Sequence, residues 1–210
     1  REWDPYVPRL TLDWALYYAT GLGWRVLVLW GAGETAGSCA CGDPACRSQG
    51  KHPIGPLMPR GVHDATIDMA TIRRWWGEYP SANVGVATGA SVGGPCALDV
   101  DPIHGGDESL EALEKEHGAL PESVEAVTGR GGRHWLYAST ARVANKVGIR
   151  PGLDVRGDGG YIAVHPSIHG ETRRRYEWEA AHRPDEVTLA PAPAWLVEER
   201  SFNPAACEPD

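Results

Sequence analysis

From Cys96 onward the chain breaks into short apolar and β-branched runs separated by glycine-bearing turns, and no other sequence feature limits the fold as much. The runs Cys96–Asp101, Ser123–Thr128, His134–Ala138, Leu153–Val155 and Gly160–His165 are too short for helices and read as strands. The first half differs. Leu12, Ala15, Leu16 and Ala19 recur at helical spacing in 11–21, Trp24–Trp30 is a buried-strand run, 67–76 is a helix and 82–88 a strand. Asp107–His117 is an amphipathic helix that turns Leu110 and Leu113 inward. Early alternation followed by consecutive strands predicts an α+β fold with a mixed sheet. The last two runs, joined by Arg156-Gly-Asp-Gly-Gly, predict a β-hairpin with Asp158 as a turn-former.

At 210 residues the chain suits one compact domain. Its 42% hydrophobic and 23% charged content excludes a disordered chain. No apolar run reaches the roughly 18 residues of a membrane span, and Arg1-Glu-Trp-Asp-Pro does not resemble a signal peptide, so a cytoplasmic protein without a membrane partner is expected. A net charge of −8 argues against nucleic acid, yet residues 129–175 hold nine Lys/Arg against Asp154, Asp158 and Glu171. A basic face on an acidic body follows, or charges scattered over a solvated surface. The segment 190–196 reads as a stiff exit, and 203–210 as a linker or frayed end.

In Ala97-Leu-Asp-Val-Asp-Pro, period-two alternation sends Asp99 and Asp101 to one face and Leu98 and Val100 to the other. Adjacent carboxylates are costly unless cations neutralise them, and Mg²⁺ or Mn²⁺ takes such oxygen ligands. The alternative is a solvated strand end opening a turn at Pro102. Asp154 and Arg156 share a strand face in the same way, so Asp154 can complete a three-carboxylate site and Arg156 can meet a phosphate. Thr128-Gly-Arg-Gly-Gly-Arg-His is a Gly-rich turn entering a strand, where Arg130, Arg133 and His134 are candidate phosphate donors; a hairpin with a structural histidine is the other reading.

Cys39, Cys41, Cys46 and His52 fall in one glycine-rich loop with the composition of a closed, structural Zn²⁺ site; reduced cysteines with a free His52 are the alternative. Cys96 and Cys207 stand apart. Lys51, one of three lysines, either points at a phosphate or is solvated.

In this order, Gly50-Lys-His-Pro, His63-Asp-Ala-Thr-Ile-Asp, Trp75-Trp, Asn83-Val-Gly-Val-Ala-Thr-Gly, Leu98-Asp-Val-Asp, Thr128-Gly-Arg-Gly-Gly-Arg-His and Gly152-Leu-Asp-Val-Arg-Gly-Asp-Gly-Gly-Tyr closely resemble the bifunctional DNA primase/polymerase (prim-pol) domain of the archaeo-eukaryotic primase superfamily. The resemblance runs from about Ala15 to Trp195. It implies a primase-type core with an RRM-like mixed sheet against an N-terminal α/β unit, in one catalytic domain over 1–200 with a zinc knuckle inserted at about 38–53 and a tail or linker at 201–210. It implies template-directed nucleotidyl transfer from dNTPs or NTPs to a 3′-hydroxyl on a single-stranded template or primer-template. Asp99, Asp101 and Asp154 would hold two Mg²⁺ or Mn²⁺ ions, and His134 would contact nucleotide phosphates, with Arg133, Arg156 and Lys51 in support. It further implies replication or priming of a mobile element, with a helicase or accessory domain following in the full-length protein. An extension-only or repair- and defence-associated polymerase, a metal-dependent nuclease and a non-catalytic nucleic-acid-binding module are the alternatives. One departure is His165, where a proline or apolar residue is common.

Overall fold

The computed structural model describes residues 11–197; the expectations for the first residues and for the 201–210 tail, with Cys207, lie outside them. In chain order the main elements are α1 (Thr11–Thr20), β1 (Val26–Leu29), α2 (Met69–Glu78), β2 (Asn83–Ala87), β3 (Cys96–Val100), α3 (Gly106–His117), β4 (Val124–Val127), β5 (Arg133–Tyr137), β6 (Lys146–Arg150), β7 (Leu153–Arg156), β8 (Tyr161–Ala163), β9 (Glu177–Trp178) and α4 (Ala194–Val197). Local chemistry sets the helix ends. Asp68 caps α2 by accepting from the Thr71 N–H at 2.8 Å, and Gly118 stops α3.

The α+β class is as expected, but the strands form two antiparallel sheets rather than one mixed sheet, β1-β2-β8 and β6-β7-β3-β5-β4-β9. The physical reason lies in one insertion. The α3 crossover returns β4 in the direction of β3, but β5 turns straight back and pairs antiparallel with both, so the two parallel strands never become neighbours. Among the described residues, parallel contact is confined to single-residue bridges, Ala138 with Pro191 and Ala144 with Asp158.

The expected hairpin of 153–155 with 160–165 is also replaced: β7 lies in the larger sheet and β8 in the smaller. Glycines 157, 159 and 160 carry the chain from one sheet to the other, and Asp158 pins that crossing by accepting from the Ser91 N–H (2.8 Å) and the Val143 N–H (3.0 Å). The hairpin partner of β7 is β6, turned by Pro151-Gly152 with Gly152 at φ +67°.

Alternation along β3 separates two cores. Ala97 joins Leu136, Val124, Trp178, β1, β2, α1 and α2 between the sheets. Cys96, Leu98 and Val100 join Leu153, Tyr137 and Leu110 and Leu113 of α3 on the other face. His165 belongs to the first region: its ring packs edge-on against Trp14 at 4.5 Å, and its backbone oxygen accepts from the Tyr18 hydroxyl at 2.6 Å. The exit segment docks back, with Ala138 N–H to Ala190 O and Ala192 N–H to Ala138 O, and Trp195 stacks on His117.

Candidate active site and metal centre

Pairing register puts Asp99 in the centre of a row: Asp154 is its direct partner on β7 and His134 its direct partner on β5. Two carboxylates opposite each other in a ladder repel. Arg156 relieves this by donating to Asp154 at 2.6 Å and Asp99 at 3.3 Å, while His134 Nε2 lies 3.4 Å from the other Asp99 oxygen. Burial alone would raise the Asp99 carboxyl; the charges of His134 and Arg156 outweigh it and hold the group at about 2. Asp154 is fixed from its other side by the Gly148 N–H at 2.6 Å.

Asp101 sits one residue beyond β3, where it opens a turn as the second reading expects. Its carboxylate caps the turn at Pro102–His104, accepting from the Ile103 N–H at 3.1 Å and meeting His104 Nδ1 at 2.9 Å. It also lines the same cavity of about 360 Å³ as Asp99, Asp154, His134, Arg156 and Lys51. Arg133 does not line it. Next to His134 on a strand, it must face the opposite side, where it lies 3.6 Å from the buried Glu125 carboxylate.

The Gly-rich turn supplies Arg130 instead, which lines the cavity and pairs with Glu171. Gly129 is required there by packing, because a side chain would collide with the Cβ of His169. His169 is a cavity residue that sequence reasoning passed over; a lone histidine in Ser-Ile-His-Gly carries no spacing signal. It is 2% exposed, and burial together with Lys51 and Arg130 lowers its imidazole to about 4 against the pull of Asp101. The neutral ring accepts at Nδ1 from the Glu171 and Thr172 N–H groups, both at 3.3 Å, which leaves the proton on Nε2. That atom is buried and unpartnered, as is Nδ1 of His134, and Tyr176 lies between the two rings at 6.1 and 6.2 Å.

Lys51 stands at the solvent-accessible rim; crowding by protein lowers its ammonium, opposed by Asp99 and Asp101. The cavity thus has an acidic floor suited to hard cations and a wall of nitrogen donors suited to phosphate, the combination that phosphoryl-transfer chemistry uses.

The four knuckle residues converge as well: the ligand atoms of Cys39, Cys41, Cys46 and His52 all lie within 4.8 Å of one another. Both Cys39 Sγ and Cys46 Sγ are 3.5 Å from His52 Nε2. Zinc bonds of about 2.3 Å to sulfur and 2.0 Å to nitrogen at a tetrahedral angle give about 3.5 Å for that edge, so the set fits Zn²⁺. Burial and the neighbouring thiols push Cys46 up, a crowding that a dication would relieve.

The fold and this cavity bring carboxylates and nitrogen donors together where the larger antiparallel sheet meets its flanking loops. A family model described as bifunctional DNA primase/polymerase, N-terminal, matches residues 15–195, and the chain belongs to that family. Membership makes it, at the general level, a DNA-directed nucleotidyltransferase acting on DNA and nucleotide substrates. No curated protein matches the chain. Among the described residues no helix is long and apolar enough to cross a membrane.

Proposed function

We propose that residues 1–200 form one primase-type catalytic unit that performs template-directed DNA synthesis in the cytoplasm, joining dNTPs or NTPs to a 3′-hydroxyl on a single-stranded template or primer-template. The observation that carries this reading is the cross-strand row Asp154–Asp99–His134, sharing one cavity with Asp101, Arg130, Lys51, Arg156 and His169. Asp99, Asp101 and Asp154 would hold two Mg²⁺ or Mn²⁺ ions, and the chemistry these would supply is activation of the attacking oxygen and stabilisation of charge on the leaving group. Asp99 enters that role already ionised at neutral pH. Arg156, which neutralises Asp99 and Asp154, lines the cavity and would serve as a phosphate donor. His134 and His169 line the wall and each keeps an unpartnered buried nitrogen, and the Nε2–H of neutral His169 would donate to a phosphate oxygen without adding charge. Lys51 and Arg130 supply positive charge at the rim. The zinc knuckle, at about 38–53, is structural because four protein ligands leave no position for water. Priming of a mobile element, ahead of a helicase or accessory domain in a longer protein, is the setting this activity suits.

Incubation of labelled primer-template and of unprimed single-stranded template with dNTPs and NTPs, under Mg²⁺ and Mn²⁺, tests the reading. Extension supports it, and product on the unprimed template adds initiation. Shortening of the primer would make the protein a nuclease; retardation in a gel without either product would make it a binding module.

A further inference from the structure

Between Gly31 and Arg60 the described chain holds no helix and only single-residue bridges, so the knuckle loop depends on something other than secondary structure for its shape. Its end is a junction. His52, a member of the cluster, directly follows Lys51, which lines the cavity. The Lys51 carbonyl accepts from the Tyr161 hydroxyl at 2.9 Å, which holds the backbone at that point.

The same loop backs onto the segment that carries His169. Asn83, 3% exposed, clamps the two together: its amide nitrogen donates to Gly50 O and to Ile168 O, each at 2.8 Å, and its oxygen accepts from the Ile168 N–H at 2.9 Å. Gly50 is at φ +73°, and a Cβ there would stand 3.0 Å from Ile168 O. Gly170 packs so closely on Gln49 that a side chain would collide with it, and the Gly37 N–H donates to Gly170 O at 2.9 Å.

We infer that the Cys39-Cys41-Cys46-His52 cluster is a positioning site for the nucleotide: a bound zinc ion sets the loop that places Lys51 and braces His169. The inference rests on the nucleotide-binding reading of the cavity. Closing the metal shell fixes His52, hence the neighbouring Lys51 backbone, and through Gln49, Gly50 and Asn83 the 168–170 segment. Zinc and nucleotide are then coupled, and the coupling is reciprocal.

The test measures zinc retention in the folded wild-type protein against a chromogenic chelator, with and without dATP in saturating Mg²⁺, and Mg·dATP binding by calorimetry with and without zinc. A cobalt-loaded sample, read by its thiolate charge-transfer absorption, reports the cluster directly. We expect Mg·dATP to tighten zinc about 5- to 10-fold and zinc removal to weaken Mg·dATP by the same factor, within the usual range of coupling. Lys51→Ala should reduce that factor toward one. Mg·dATP that binds the zinc-loaded protein but shifts neither midpoint overturns the inference and leaves the function standing. Failure of Mg·dATP to bind the zinc-loaded protein overturns the nucleotide reading itself. Loss of the sheet signal in circular dichroism on chelation would make the cluster a folding site and also overturns the inference.

Discussion

Asp101 caps a turn and lines the cavity with one carboxylate, and substitutions can separate the cap from the proposed metal-binding role. Asparagine keeps an acceptor for the Ile103 N–H but not the charge; alanine keeps neither. Asp101→Asn should lower nucleotide incorporation at least about 1,000-fold, as loss of a transition-state charge partner does, with little change in melting temperature. Asp101→Ala should lose activity equally and also about 1 kcal/mol of stability, measured by denaturant unfolding. Retained extension by either variant in a metal-replete assay would remove Asp101 from the site. His169→Leu keeps bulk but removes the Nε2–H, so the KM for nucleotide should rise about 10- to 100-fold, the equivalent of a charge-assisted hydrogen bond of about 1.5–3 kcal/mol. An unchanged KM would leave His169 a packing residue. His134→Ala should act in the same direction, read in the same assay. At this scale the sequence spoke through period two: Asp99, His134 and Asp154 sit on strands whose alternation is written in the apolar residues between them. The same rule turns Arg133 away from His134, and nothing local marked His169, which reaches the cavity only through the fold.

Among elements, the β6–β7 hairpin does most to shape the acidic floor. Gly152 is at φ +67°, and a side chain there would collide with the Gly106 N–H and the Asp101 carbonyl. Gly152→Ala should therefore cost about 2–3 kcal/mol through the left-handed backbone and backbone overlap, and displace Asp101; thermal unfolding and activity check both. Strands β3, β5 and β7 were legible because their apolar faces are buried on at least one side. Strand β6 was not: its Lys146-Val-Gly-Ile-Arg has a glycine at φ +65°, Val147 is 74% exposed, and its pairing slips in register, all marks of an irregular edge. Without β6 as a visible partner, the run that forms β7 reads as the hairpin mate of the next run in sequence.

For the molecule as a whole, acid sensitivity should trace to buried histidines. Burial holds His165 near 4, with a smaller push from Arg175 and Arg183 against the hydrogen bond to Tyr176 O. Between about 6.5, the unfolded value, and 4 the unfolded chain binds a proton that the folded one refuses, so stability falls as pH drops through that window and levels off below it. His169 adds a loss of the same sign. His165→Phe keeps a ring against Trp14 and should recover about 2–3 kcal/mol of the difference between pH 7 and pH 4, read as a smaller acid shift in melting temperature. An equal shift in wild type and variant would place the sensitivity elsewhere. The basic stretch 129–175, a single block in sequence, is divided by the fold. Arg130 and Arg156 go to the cavity, Arg133 to Glu125, Lys146 and Arg150 to the β6 edge.

The sequence by itself determined most of the short strands, β6 and β9 excepted, the three helices of ten or more residues, the pairs Asp99/Asp101 and Asp154/Arg156, the Cys39-to-His52 cluster and the family, because each depends on spacing within a segment or on the order of segments. Only the tertiary structure decided that both sheets are antiparallel, that β7 and β8 part company, and that Lys51 and His169 meet on one wall. Those outcomes depend on which strand inserts beside which and on how closely glycine-lined loops approach, energies of contact between residues far apart in the chain that no local pattern encodes.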